Sequence, residues 1–593
     1  MFRVSCFSLV LGLLSAAGFG QSATSPPTPP PSLGSPKAQE NPILPSVSAP
    51  ATATAVVTST ASASTAPPES VLANPLGEAR ALYRKGKFEE AIAKYQELLR
   101  DHPRSPDAFA GEVRVYLKQR NVDQAAQVAE QGLAESNSPR TKVAQAEVWF
   151  RQGKINEAEK QWIDVINSGY PEARAYLGLA RVREAIAMFK TARKMVDKAH
   201  ELDPLDPDIQ EEWIGTLSRS ERIRYLETSL AGDNNWDTDQ RSDVASYLQY
   251  LRERAQRKNE PCHLVSNVSR TETRLVPLMI DPTHLRGYAV SVVLNGHKNK
   301  LMLDTGASGI LVKRSIAEHA GISKISETKV LGIGNKGRRN AYIGVADSIK
   351  VGELEFQNCP VEVMESRSVA EEDGLIGADV FEDFLVDIDF PNEKLKLSEL
   401  PKRPGTPEPK LTLKSEDEDF DEATGAGDDS KSGDTKSVAP TVPTSGPQDR
   451  YIAPEMQSYT RVYRFGHDLL IPTSIGKVPY KLFLMDTGAM FNFISPAAAR
   501  EVTKVHGDSD TIVKGISGRV DKVFSANKAI LQFGNLRQEN QDMTAFDTKP
   551  ISDGVGTEVS GFLGFVLLHF LDIKIDYRDA LVDFQYDAKR WNR

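Results

Sequence analysis

Two short segments of the 593-residue chain each offer one carboxyl group in a setting suited to acid/base chemistry. In both segments three apolar residues lead into Asp-Thr-Gly-Ala, which places the aspartates at Asp304 and Asp486. Two carboxyl groups can together hydrolyse a peptide bond, because one takes a proton from water while the other, protonated, polarises the scissile carbonyl. For a lone copy, the alternative is a turn whose aspartate bonds its own backbone.

The two segments belong to a longer duplicated stretch of sequence. A glycine follows each aspartate by 48 residues, at Gly352 and Gly534. An apolar-apolar-glycine motif comes later, with its glycine 73 residues after Asp304 and 78 residues after Asp486. The closing strands show the same five-residue difference, so a single insertion after Gly534 accounts for both offsets. The chain therefore carries two copies of one domain. The two apolar motifs are Leu375-Ile376-Gly377 and Phe562-Leu563-Gly564.

Strands and tight turns are the elements that must position these aspartates. The run from Ala289 to Leu294 alternates into Asn295-Gly296, which predicts a hairpin whose second strand continues through Leu303. Each aspartate then lies where an apolar strand breaks into a turn, with glycine permitting the backbone conformation. We expect a short helix after each motif, and Ser495-Pro496 supplies an N-cap and a first-turn proline in the second copy.

A glycine-bearing strand pair follows each aspartate by about 30 residues. Such a pair predicts a mobile hairpin, or flap, that closes over a cleft. An ordinary surface hairpin is the alternative, but the repeated position favours the flap. The glycines concerned are Gly332, Gly334 and Gly337 in the first copy and Gly515 and Gly518 in the second.

Together these motifs resemble the retropepsin-type aspartic proteases, the single-lobe relatives of pepsin. The resemblance extends over Cys262 to Leu400 and over Tyr451 to Tyr586. It implies an all-β lobe for each copy and one active site built from two lobes, paired either within the chain or in a homodimer. It assigns Asp304 and Asp486 as the acid/base dyad and requires no metal or other cofactor.

The same resemblance implies roles for the residues around the dyad. Thr305 and Thr487 would brace the two turns, Gly306 and Gly488 would allow close backbone approach, and the two apolar-apolar-glycine motifs would pack beneath the aspartates. One position departs from the family pattern. The residue after Asp-Thr-Gly-Ala is Ser308 in the first copy but Met490 in the second, so an asymmetric site or an inactive second lobe could follow.

The N-terminal part of the chain contains a different repeat. Gly86-Lys87-Phe88-Glu89-Glu90-Ala91 recurs in altered form at 153–158, and alanines occupy one slot at spacings of 34, 33 and 34 residues. Two antiparallel helices with their turns fill about 34 residues. The pattern resembles the tetratricopeptide repeat over Asn74 to Pro204, with further helices to about Lys258. The resemblance implies a concave groove for peptides or partner proteins, and a spacer without a ligand is the alternative.

Composition suggests six segments along the chain. Residues 1–20 have the pattern of a secretory signal peptide, because a short basic start, an apolar run and small residues follow one another. Residues 21–72 form a Pro/Ser/Thr/Ala-rich linker and 401–450 an acidic one, both expected to lack order. Between and beyond them lie the helical repeats at 73–258, the first lobe at 259–400 and the second at 451–593.

Charge and cysteine content exclude several classes of function. The net charge is −9, from 72 basic and 81 acidic residues, which gives no electrostatic case for a nucleic-acid partner. Three cysteines are too few for a cysteine-based zinc site. Cys262 and Cys359 form either one disulfide or two buried thiols. No segment after the leader is apolar for long enough to give a stable membrane span.

The sequence therefore predicts a multidomain protein with an α-helical tetratricopeptide-like solenoid followed by two all-β retropepsin-like lobes. The expected function is that of an aspartic-type endopeptidase, exported to the periplasm or secreted, that acts on a polypeptide substrate. The helical repeats would bind that substrate or a protein partner. The alternative is a non-catalytic exported scaffold whose degenerate protease lobes bind peptides.

Overall fold

The computed structural model of the chain describes residues 14–16, 74–232, 236, 238–256, 262–365, 373–404 and 447–591. The linker expected at 21–72, most of the linker at 401–450 and most of the expected leader lie outside these residues. From the leader only strand β1 (Leu14–Ala16) is described, and it pairs antiparallel with Ile512–Lys514.

Eleven helices make up the described part of the N-terminal region. Several begin where an Asn, Ser or Asp caps the first turn and a proline follows at once, as at Asn74, Ser105, Ser138 and Asp206. The helices are α1 (Pro75–Arg84), α2 (Phe88–Asp101), α3 (Pro106–Lys118), α4 (Val122–Glu135), α5 (Pro139–Arg151), α6 (Ile155–Asn167), α7 (Ala173–Ala185), α8 (Phe189–Leu202), α9 (Pro207–Gly215), α10 (Arg219–Ala231) and α11 (Thr238–Gln256).

The repeat period is visible in the backbone. The turn within each of four successive helix pairs holds one residue at positive φ, namely Gly86 (70°), Arg120 (61°), Gly153 (74°) and Ala187 (58°). These positions follow one another at 34, 33 and 34 residues, the spacing of the sequence repeat. Two of the four are not glycine, so the left-handed turn is imposed by the packing of the helices it joins.

The first β-region follows the helices. Strand β6 carries Asp304 at its C-terminal end and pairs in parallel with β11, so that Gly377 lies opposite Asp304. The elements are β2 (His263–Leu264), β3 (Thr271–Arg274), β4 (Val276–Asp281), β5 (His284–Leu294), β6 (His297–Asp304), β7 (Ile310–Lys313), α12 (Arg314–His319), β8 (Lys324–Val330), β9 (Arg339–Val351), β10 (Leu354–Met364), β11 (Gly374–Gly377), β12 (Phe384–Asp389) and β13 (Lys394–Glu399).

The second β-region repeats this succession of strand pairings. Strand β17 carries Asp486 and pairs in parallel with β24, so that Gly564 lies opposite Asp486. The elements are β14 (Thr460–Arg461), β15 (Tyr463–Phe465), β16 (Asp468–Ile475), β17 (Val478–Asp486), β18 (Phe493–Ile494), α13 (Pro496–Arg500), β19 (Val505–Asp508), β20 (Ile512–Gly515), β21 (Gly518–Arg519), β22 (Val523–Phe533), β23 (Leu536–Phe546), α14 (Lys549–Val555), β24 (Gly561–Gly564), α15 (Phe565–Leu568), β25 (Leu571–Asp576), β26 (Leu581–Tyr586) and α16 (Ala588–Trp591).

One six-stranded sheet joins the two β-regions. Its order is β14-β26-β25-β12-β13-β3, and the two regions meet where β12 pairs antiparallel with β25. Beside this sheet, the two described ends of the acidic linker converge on one buried carboxylate. Asp579 accepts a hydrogen bond from the backbone N–H of Tyr451 at 2.8 Å and another from the guanidinium of Arg403. The length of the linker therefore does not hold the two β-regions apart.

The helices pack directly on the β-rich part of the chain. The rings of Phe150 and Phe465 lie 6.1 Å apart, and the Thr557 hydroxyl donates to the Phe150 carbonyl at 2.6 Å. At the C-terminal end of the helical region, Asp243 of α11 forms an ion pair with Arg338 of the first β-region at 2.8 Å. Within the described residues, no helix is long and apolar enough to cross a membrane.

Candidate active site

The two Asp-Thr-Gly turns meet in the interior, and each threonine binds the other turn. The Thr305 N–H donates to Thr487 Oγ1 at 3.0 Å, and the Thr487 N–H donates to Thr305 Oγ1 at 3.1 Å. The Thr305 hydroxyl in turn donates to the Met485 carbonyl at 2.8 Å, and the Thr487 hydroxyl donates to the Leu303 carbonyl at 3.0 Å. These four bonds fix the relative position of the turns.

The carboxyl groups of Asp304 and Asp486 are fully buried, and each lies against the glycine of the other turn. Each keeps its Oδ1 on its own turn, since the Gly306 N–H donates to Asp304 at 2.9 Å and the Gly488 N–H donates to Asp486 at 2.8 Å. A Cβ added at Gly488 would lie 2.3 Å from Asp304 Oδ2. Both glycines are therefore required by the approach of the partner carboxyl group.

The environment raises the pKa of both carboxyl groups. Burial raises the pKa of Asp304, while the Gly306 N–H, the bond to Asp486 and the charge of His467 oppose the rise. Burial and the charge of Asp304 raise the pKa of Asp486 well above its usual range. Two buried carboxyl groups this close cannot both ionise at low cost, so the pair shares one proton and titrates as a unit.

The two apolar-apolar-glycine motifs lie against the aspartate turns. The Gly377 N–H donates to the Gly309 carbonyl at 2.8 Å, and a Cβ at Gly377 would lie 2.4 Å from the Ala307 carbonyl oxygen. In the second copy a Cβ at Gly564 would lie 2.1 Å from the Phe491 carbonyl oxygen. The remaining residues of the two motifs, namely Leu375, Ile376, Phe562 and Leu563, are buried beside the aspartate strands.

The two glycine-rich hairpins meet each other at their tips. The Lys336 N–H donates to the Ser517 carbonyl at 2.7 Å, and the Ser517 N–H donates to the Ile333 carbonyl at 3.1 Å. A Cβ at Gly334 would lie 2.3 Å from the Ser517 backbone, and one at Gly515 would lie 2.4 Å from the Ile333 carbonyl oxygen. Gly332 donates to the Ser517 hydroxyl at 3.0 Å, while Gly337 and Gly518 have positive φ.

The fifth position of each motif differs in its surroundings. In the first copy the Ser308 hydroxyl donates to Asp379 at 3.1 Å, which ties the turn to the segment after Gly377. In the second copy Met490 is half-buried and makes no such bond; instead Asn492 accepts from the Gly564 N–H at 2.8 Å. The two turns are therefore braced by different residues.

Sequence reasoning missed three residues that shape the site, namely Asp379, Asn492 and His467. Asp379 comes directly after Gly377-Ala378, so its proximity to a repeated motif was a usable signal. His467 is buried beside Asp468 at the start of β16, far from either Asp-Thr-Gly in sequence. It has no counterpart histidine in the first copy, where Arg286 precedes Gly287, so no repeat marked it.

The structure also resolves the open question about the cysteines. Cys262 and Cys359 form a disulfide that links the start of the first β-region to strand β10. In the described ranges, no group of three or more His, Cys, Asp or Glu side chains is placed to hold a metal ion.

Comparison with known families matches two parts of the chain. The aspartyl protease family matches residues 290–380, which contain Asp304 and Gly377, and the tetratricopeptide repeat family matches 76–138 and 111–169. The chain has tetratricopeptide repeats and an aspartyl protease-like domain. The predictions made from the two sequence patterns are confirmed to this extent.

Two curated proteins are similar to a stretch of this chain. It is 30% identical over 110 residues to the UBA domain-containing protein Mud1 of Schizosaccharomyces pombe, a match covering 18% of this chain and 32% of that protein. It is 32% identical over 108 residues to DNA damage-inducible protein 1 of Chaetomium globosum, covering 18% and 23%. The chain thus spans about a third or less of these relatives. A thermophilic TPR protein of Thermus thermophilus aligns with 29% of this chain and 97% of its own, at 20% identity and a TM-score of 0.24.

Proposed function

We propose that this protein is an aspartic-type endopeptidase in which two retropepsin-like lobes of one chain form a single active site. The observation that carries the proposal is the meeting of the two Asp-Thr-Gly turns, which are hydrogen-bonded to each other and place the buried carboxyl group of each aspartate against the other turn. Two glycine-rich hairpins meet at their tips in the same part of the protein. Each lobe supplies one half of the dyad. The match of the aspartyl protease family to the first lobe supports the same conclusion.

A pair of carboxyl groups that shares one proton can supply both roles needed in peptide hydrolysis. Written with Asp304 as the ionised partner, Asp304 takes a proton from water, whose oxygen attacks the scissile carbonyl carbon while Asp486 gives its proton to the carbonyl oxygen. The tetrahedral intermediate then collapses. Asp304 passes its proton to the leaving nitrogen, the C–N bond breaks, and Asp486 regains a proton from the hydroxyl group. Both carboxyl groups end in their starting states.

The test is the loss of cleavage in single variants of either aspartate. Asp304→Asn and Asp486→Asn should each lower kcat for an unfolded protein substrate by at least about 10³-fold at mildly acidic pH, since neither half can act alone. Both variants should retain the thermal unfolding midpoint of the parent protein or exceed it, because an amide costs less to bury than a charge. Cleavage that persists in both variants contradicts the dyad and favours a peptide-binding scaffold.

Mixing the variants distinguishes pairing within a chain from pairing between chains. With lobes paired within one chain, each variant has a single defective site and a mixture of the two stays inactive. A homodimer that pairs Asp304 with Asp304 of a second molecule would leave Asp486→Asn fully active. Sedimentation velocity on the parent protein provides the control, with a monomer expected at concentrations where cleavage is measured.

We further propose that the protein is exported, with residues 1–20 as the signal. The Cys262–Cys359 disulfide supports this proposal, because disulfides persist in oxidising compartments and are rare in the cytosol. Fractionation of cells expressing the full chain and a variant without residues 2–20 tests it. Both cysteines should react with a maleimide only in the truncated variant, and equal labelling of the two proteins contradicts export.

A further inference from the structure

A large cavity lies between the helical repeats and the second lobe. Its volume is about 940 Å³, near the upper end of the roughly 300–1,000 Å³ typical of ligand pockets. One wall comes mainly from side chains of α3, α5, α7 and α9, one helix from each successive repeat. The opposite wall comes from the base of the first hairpin, from the start of β16 and from α14.

The cavity reaches the neighbourhood of the dyad. Leu331, which lines it, directly precedes the first hairpin glycine, Gly332. Asp468 also lines it and lies two residues before Leu470, which pairs with Leu484 on the aspartate strand. Extending the same antiparallel register by two residues places Asp468 opposite Asp486. One end of the cavity therefore lies close to the second aspartate strand and to the first hairpin.

The walls of the cavity suit an extended polypeptide better than a charged small ligand. Nine Lys and Arg side chains and nine Asp and Glu side chains line it, so neither sign dominates and a polyanion has no preference for it. Among these charges, Arg181 pairs with Glu212 at 2.8 Å. Between the charges lie apolar side chains that keep part of their surface exposed, namely Phe88, Leu117 and Trp236. Apolar surfaces interrupted by paired polar groups match the alternating side chains of an unfolded segment.

Direct contacts hold the two walls at a fixed separation. The Thr557 hydroxyl donates to the Phe150 carbonyl at 2.6 Å on one side of the cavity, and Arg151 lies 3.6 Å from Asp553. The core of the second lobe continues into that of helices α5 to α7. The helices thus pack firmly against the second lobe on this side of the cavity.

We propose that this cavity is the continuation of the substrate channel, and that it holds the segment of the polypeptide that flanks the scissile bond on one side. This inference rests on the proposed function and adds that the substrate must be long enough to fill the cavity. Substrates long enough to fill the cavity gain affinity from the inner helices, whereas short peptides reach only the dyad. The helical repeats would then select unfolded chains as part of the active site.

A bulky label inside the cavity tests this proposal. Glu212→Cys, in a Cys6→Ser background, is labelled with a maleimide carrying a polyethylene glycol chain of about 2 kDa, a size chosen to exceed the space between the walls. Glu130→Cys, exposed on α4 and not part of the cavity, carries the same label as the matched control. The substrates are a 30-residue peptide and an eight-residue peptide that contains the same cleaved bond.

The proposal predicts that the label at position 212 lowers kcat/KM for the long peptide at least tenfold and changes the value for the short peptide less than twofold. The label at position 130 should affect neither. Equal loss for both peptides, or no loss for either, overturns the proposal. If the unlabelled protein cleaves nothing, the endopeptidase assignment fails, and the channel is tested by fluorescence anisotropy of the two peptides instead. Binding of the long peptide that survives labelling at position 212 overturns the channel. Loss of binding of the long peptide after labelling at position 212, but not at position 130, supports the channel.

Discussion

Asp389 of the first lobe lies directly opposite Asp572 of the second lobe in the sheet that joins them. The two carboxylates differ in their neighbours. Although burial opposes it, bonds from Asn392 and Lys396 lower the pKa of Asp389. Burial, with the nearby charges of Asp387 and Asp389, raises the pKa of Asp572 to about 7. Between about pH 4 and pH 7 the folded protein therefore keeps a proton on Asp572 that the unfolded chain would release.

Stability should consequently fall as the pH rises from about 4 to about 7, because the unfolded carboxyl ionises near its usual pKa while the folded one keeps its proton until about 7. Asp572→Asn removes this loss. We expect it to raise the free energy of unfolding by about 1 kcal/mol at pH 8, allowing for the partial exposure of the group, and to change little at pH 4. Urea unfolding at the two pH values measures the difference. Asp583→Asn, which faces Lys574 on the neighbouring strand, is the control and should not stabilise the protein at pH 8.

Removal of the Thr305 hydroxyl should separate catalysis from overall folding. Thr305→Val leaves the Thr487 N–H without its acceptor and the Met485 carbonyl without its donor, at a cost of about 1–3 kcal/mol. Because these bonds position both turns, kcat should fall more than tenfold while the circular dichroism spectrum is retained. Thr305→Ser keeps the hydroxyl and should retain most of the activity. Equal kinetics for the valine and serine variants would show that the bonds do not position the dyad.

A methyl group at Gly488 should displace the partner carboxyl group. In Gly488→Ala the new Cβ would lie 2.3 Å from Asp304 Oδ2, a distance that forces one group to move. We expect kcat to fall at least about 100-fold, since small displacements of reacting groups have effects of this size. Gly507→Ala is the matched control, because a Cβ there meets no atom within 4 Å. Steady-state kinetics of the two variants provide the comparison, and comparable activity would mean that the turns can separate freely.

The repeat turn at Arg120 offers a stabilising substitution. Its φ of 61° is unfavourable for a residue with a side chain, and Gly86 and Gly153 occupy the equivalent position of neighbouring repeats. Arg120→Gly should raise the free energy of unfolding of the helical region by about 1 kcal/mol. Arg120→Ala removes the same side chain but keeps the strain, so thermal unfolding of the two variants isolates the backbone contribution. A lower midpoint for the glycine variant than for the alanine variant contradicts this explanation.

The sequence was most informative where it repeats itself. The equal 48-residue offset from Asp304 and Asp486 to their following glycines pointed to two equivalent turns, and the structure brings those turns together. The period of the helix pairs was predicted equally well, including the spacing of the left-handed turns. In both cases a local pattern carried the information, because turns and helix pairs are determined largely by residues close in sequence.

Features that depend on contacts between residues far apart in the sequence could not be predicted from the sequence. The disulfide joins cysteines separated by 97 residues, and nothing in their local sequence shows that their Cα atoms approach each other. Phe465 has the pattern of any buried strand residue, although its ring packs against Phe150 of the helical repeats. His467 lowers the pKa of Asp304 electrostatically, although the two residues are 163 positions apart in the sequence. Tertiary packing determines all three features, within the first β-region for the disulfide and between domains for Phe465 and His467, and no period in the sequence encodes it.

The convergence of Arg403 and Tyr451 on Asp579 changes what the intervening chain does. With Arg403 and Tyr451 held at one point, the residues between them have no distance to span from one β-region to the other. Each doubling of the number of these residues would cost only about 0.6 kcal/mol of closure entropy. We therefore expect this part of the chain to tolerate added residues or a cut, because the shared six-stranded sheet joins the two β-regions by itself.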